Sequence, residues 1–155
     1  NIIDIRVAFG EGWGNAYSAI ASGDPNYSDA TGLDQADGFG FNVEWNNCNN
    51  SGWYSECSVH SILYDLFDAA NDDSLNLGFT PIYNVLIDEE RNTAALTSIF
   101  SFIKPLKDAA TQPERDAIDA LVAGQNIDPI TDIYGDSQIN NNPGTVDQLP
   151  VYLRF

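Results

Sequence analysis

Between Phe9 and Asn15 the chain runs Phe-Gly-Glu-Gly-Trp-Gly-Asn, placing glycines at 10, 12 and 14 inside a helical pattern. Ile5, Phe9, Trp13, Ala16, Tyr17 and Ile20 recur three or four apart and predict a helix over residues 4–22. Glycine in a helix interior costs about 1 kcal/mol relative to alanine. A surface helix has no reason to carry three of them in five residues. Such a segment makes sense where something lies hard against the backbone, here beside Glu11. Glu11 and Asn15, four apart, share a face with Ser18, whereas Phe9, Trp13, Tyr17 and Ile20 point elsewhere. A carboxylate buried on that face needs a cation, a metal or hydrogen-bond donors. Zinc held by Glu11, with Asn15 orienting a neighbouring ligand, would meet the need. So would a capped or salt-bridged carboxylate with Arg6 as its partner.

Four further helices follow from periodicity. Val59, Ile62, Leu63, Leu66, Phe67 and Ala70 make one stripe over about 55–70, with Ser55 as N-cap and Asn71-Asp72-Asp73 as the stop. Thr80-Pro81 predicts the start of a short helix over 81–88. A fourth covers 92–108, kinked or ended by Pro105. Thr111 and Glu114 form a capping-box pattern for a fifth, ending at Gly124. Residues 24–38 are rich in Asp, Gly, Ser and Asn and read as a long loop; residues 38–45 alternate and read as a short extended segment. Asn140–Gly144 reads as a loop, and residues 149–155 as an extended tail. The expected fold is all-α: one helical domain over 1–155, an irregular bundle of about five helices with long loops.

With 6 basic against 23 acidic residues the net charge is −17, which makes nucleic acid a poor partner. No apolar run is long enough to span a bilayer. Cys48 and Cys57 flank an Asn/Gly/Ser-rich loop at a spacing that suits a local disulfide rather than a metal pair, which favours a secreted or periplasmic protein; two unrelated thiols are the alternative. The chain opens on Asn1, contains no Met and is apolar from Ile2 on, as if mid-element, so it is read as a processed or truncated chain with its natural start missing.

The segment Phe9–Asn15 resembles the third-ligand segment of the gluzincin zinc metallopeptidases, the group of thermolysin, fungalysin and related aminopeptidases. In that group a His-Glu-x-x-His helix supplies two ligands and the catalytic base, and a later helix supplies a ligand Glu. The resemblance implies that Glu11 is the zinc ligand. The family's Asp four residues on, which orients a ligand His, is replaced here by Asn15, which keeps a hydrogen-bonding side chain without the charge. It also implies a helical C-terminal subdomain, zinc in the intact enzyme only, and peptide or protein as substrate. His60, the sole histidine, could stabilise a transition state, or be an ordinary helix residue. There is no His-Glu-x-x-His here, so its partner is a missing N-terminal half and the chain alone is expected to be inactive. The rival reading is a non-enzymatic, acidic, exported binding module that engages partners through Trp13, Trp45 and Trp53.

Overall fold

The computed structural model describes residues 2–68 and 75–138. Its first helix, α1 (Ile5–Ser22), begins where the Asp4 carboxylate accepts from the Arg6 N–H at 2.9 Å. It ends at Gly23, whose φ of 66° is the left-handed conformation glycine adopts without strain. The stretch after it is not a loop. Strands β1 (Asn26–Thr31) and β2 (Asp37–Asn42) pair antiparallel, with Tyr27 opposite Phe41 and Asp29 opposite Phe39. The Tyr27 and Phe41 rings stack at 4.9 Å across the pair. The connection between them turns through positive φ at Gly32, Asp34 and Gln35. The described residues therefore form five α-helices plus a two-stranded hairpin and are not purely helical.

Helix α2 (Glu56–Phe67) is capped by Ser55, whose hydroxyl accepts from the Ser58 N–H at 3.4 Å. It is the central helix, with every described residue from Ser58 to Leu66 buried. The Ile3 N–H donates to the Tyr54 carbonyl at 3.0 Å, Gly12 faces Val59, and Ala19 shares an apolar cluster with Tyr64. The two helices thus run side by side in the same direction. An 18-residue helix is about 27 Å long. The chain must return that distance before α2 can start, and residues 23–55 make the return. A disulfide between Cys48 and Cys57, Cα atoms 5.7 Å apart, fastens the end of this return to the first turn of α2.

Helix α3 (Phe79–Asn84) starts two residues before the expected position, at Gly78, so Thr80 is inside the helix and is not its cap. It passes directly into a π-helical turn, Val85–Glu90. The next helix, α4 (Ile99–Ala109), starts seven residues later than the periodicity suggests. Ser98 and Ser101 cap it reciprocally: the Ser98 N–H donates to the Ser101 hydroxyl at 2.9 Å. Pro105 removes one backbone donor but does not end the helix, which continues to Ala109. Helix α5 (Gln112–Gly124) opens with the Thr111 N–H donating to Glu114 at 2.7 Å. Lys107 ties α4 to α5 through Asp119 at 2.5 Å and also reaches the Ile130 carbonyl. One apolar core joins all of these, centred on Ile62, Leu66, Phe100, Phe102, Ile103 and Ile118. The expected stop at Asn71-Asp72-Asp73, the Asn140–Gly144 loop and the 149–155 tail lie outside the described residues.

Candidate functional site

The three glycines of α1 divide into two kinds. A Cβ at Gly12 would lie 2.6 Å from both Cβ and Cγ1 of Val59, and 3.0 Å from the Glu56 carbonyl oxygen. Gly12 is therefore the place where α1 and α2 meet backbone to side chain. A Cβ at Gly10 or Gly14 would meet nothing within 4 Å. These two are exposed, on either side of an exposed Glu11. Among the described residues nothing approaches them closely.

Glu11 makes no hydrogen bond or ion pair with any described residue. Arg6, the cation that could have neutralised it, is held by Asp4 through a two-pronged contact of 2.8 and 2.7 Å. That contact draws the Asp4 carboxyl down to about 2, the Arg6 hydrogen bond being the main cause. The same exposed face of α1 carries Val7 and Tyr17, 44% and 47% exposed. Glu11 thus stands on an open surface of small and apolar residues.

Asn15, one turn on, faces inward. It is buried, and its Nδ2 donates to Glu56 Oε1 of α2 at 2.6 Å. A carboxylate can only accept, so the amide orientation is fixed by its partner. One turn along α2 from Glu56 lies His60, 4% exposed, its ring stacked on Phe41 of β2 at 5.0 Å and 13°. Its Nδ1 has no hydrogen-bond partner. Burial lowers its pKa to about 4, so it is neutral at pH 7. Asn15 and His60 are thus linked through Glu56 and α2. Glu11, one turn before Asn15, is exposed, whereas His60 is part of the interior against Phe41. Among the described residues no group of three His, Cys, Asp or Glu side chains is placed to hold a metal.

Two features were not anticipated from sequence. Glu56, the carboxylate that Asn15 holds, gave no signal, because it lies 41 residues away and outside any motif. The extended segment read at 38–45 is largely β2, but its partner β1 went unread, because Asn26–Thr31 is almost all exposed. Of the three tryptophans, Trp45 is 68% exposed, Trp13 is half-buried, and Trp53 at 3% belongs to the core. The three do not share a surface. Comparison with known protein families, with curated proteins and with solved structures gives no match.

Proposed function

We propose that this chain is the C-terminal portion of an exported zinc metallopeptidase, to which it contributes Glu11 as a metal ligand. The observation that carries the reading is the pair Gly10 and Gly14. Each costs about 1 kcal/mol against alanine, and neither serves a close contact among the described residues. A bare backbone on both sides of an unpaired carboxylate suits a second helix that closes directly over α1 and brings the remaining ligands to Glu11. Zinc so held would polarise a peptide carbonyl and activate water. In this reading the present residues bind and orient, and the base comes from the partner segment. Asn15, engaged with Glu56, positions the helix from within.

Two measurements test it. The gene upstream of Asn1 should encode His-Glu-x-x-His, and its absence would sink the proposal. In the protein that carries that segment, Glu11→Ala should remove bound zinc as measured by metal analysis. Undiminished zinc would assign the ligand elsewhere. A second reading, an acidic binding module, rests on the exposure of Trp45. It would involve Trp13 and Trp45 only, since Trp53 is inaccessible.

A further inference from the structure

A cleft of about 350 Å³ opens between the α3–π segment, α4 and the start of α5, and it uses no residue of α1. Its volume falls at the lower end of the range for small-molecule sites, about 300–1,000 Å³. The floor is apolar, built from Leu77, Pro81, Val85 and Leu106 together with the small side chains Ala109 and Ala110. Three carboxylates, Asp88, Glu89 and Glu114, stand around it, and no basic side chain lines it. Glu114 is held ionised by the hydrogen bonds it accepts from Thr111, which lower its pKa. Arg115, next to it, donates to the carbonyls of Ala110 and Lys107, and its charge also acts on Glu114 without lining the cleft. The π turn Val85–Glu90 forms a wall and supplies two of the three carboxylates.

We propose that this cleft binds a small organic cation: an amine or guanidine whose apolar body fills the floor and whose charge lies within the acidic rim. A metal ion would leave the apolar floor without a partner, and the described carboxylates do not converge on one point. An anion would face uncompensated negative charge, and a neutral apolar ligand would ignore the rim. Only a molecule with both parts uses both features. The site is independent of Glu11, so either proposal can fail without the other.

The test is a titration of the full chain with 2-phenylethylammonium, followed by amide chemical shifts. The matched neutral control is 2-phenylethanol. Shifts should centre on Val85, Asp88, Glu89 and Ala109. The alcohol should bind about tenfold more weakly, as expected for loss of several screened ion pairs, and added salt should narrow the difference. Asp88→Asn combined with Glu89→Gln, both at exposed positions, should weaken the ammonium probe by a similar factor and leave the alcohol unchanged. Ala109→Phe should abolish binding of both by filling the floor. Absent binding, shifts elsewhere, equal affinity for the alcohol, or an undiminished double variant would each overturn the proposal.

Discussion

Replacing each α1 glycine by alanine should separate packing from function. At Gly12 the added methyl would sit 2.6 Å from two carbons of Val59, a fully buried residue, and 3.0 Å from a backbone oxygen of α2. Neither neighbour is a flexible side-chain end. Overpacking of this kind costs typically 1–3 kcal/mol, and two contacts this short put it near ~3. The gain in helix propensity returns ~1 kcal/mol. Gly12→Ala should therefore destabilise by ~2 kcal/mol, a fall in Tm of about 4–8 °C for a chain of this size. Gly10→Ala and Gly14→Ala meet open space, so only the propensity remains, and each should gain up to ~1 kcal/mol. Adding Val59→Ala to Gly12→Ala removes Cγ1 but leaves Cβ, so the pair should recover part of the loss in a double-mutant cycle. Urea midpoints on all the variants supply the measurement. A Gly12→Ala protein as stable as Gly10→Ala would refute the packing account. If the proposed function holds, the same Gly10→Ala and Gly14→Ala changes should impair zinc binding in a protein carrying the proposed partner helix, because the methyls would meet that helix.

Three further outcomes are expected. His60 is neutral when folded, with a pKa near 4 against 6.5 in the unfolded chain. Its contribution is complete above 6.5 and is lost as pH falls towards 4, up to ~3 kcal/mol. The urea midpoint of His60→Gln should therefore fall less between pH 7 and 4 than that of the native chain, and equal slopes would rule this out. Glu90 is buried and accepts from Ser101 Oγ at 2.7 Å, while its Oε2 has no partner in hydrogen-bond geometry although the Thr97 hydroxyl is close. Burial raises its pKa, so its ionised form weakens the fold as pH rises past 4.5. Glu90→Gln should then gain on the order of 1 kcal/mol at pH 7 and nothing in acid, as read by thermal melts at both pH values. Replacing Cys48 and Cys57 by serine frees a loop of sequence separation 9, and chain entropy sets the loss at ~2.6 kcal/mol in chemical denaturation.

Helix positions were legible in the sequence wherever one apolar stripe ran uninterrupted, as in α1, α2 and α5. The boundary of α4 was misplaced because Leu96 continues its stripe outside the helix, while the true start is set by the polar pair Ser98 and Ser101. The hairpin escaped because Asn26–Thr31 has one aromatic and no alternation to betray a strand; its pairing depends on Tyr27 meeting a ring fourteen residues away. For the site, the glycines marked a close approach correctly, but their spacing could not tell Gly12, which serves α2, from Gly10 and Gly14, which serve nothing here. That distinction depends on which face α2 occupies, and it required Val59 to be located in space.

The side-by-side course of α1 and α2 has a consequence for synthesis on the ribosome. Ile3 bonds to Tyr54, Gly12 is closed by Val59, and the Phe9 ring lies 5.7 Å from that of Phe102. None of these partners has emerged when α1 leaves the exit tunnel. The first helix must wait, unsupported, while the return stretch, α2 and then α4 are translated. Contacts so distant in sequence are slow to close. During that interval its aromatic face is open to whatever is nearest, including any helix that precedes it. A segment that already covered the glycine face would shorten the wait by giving α1 a partner from its own side of the chain.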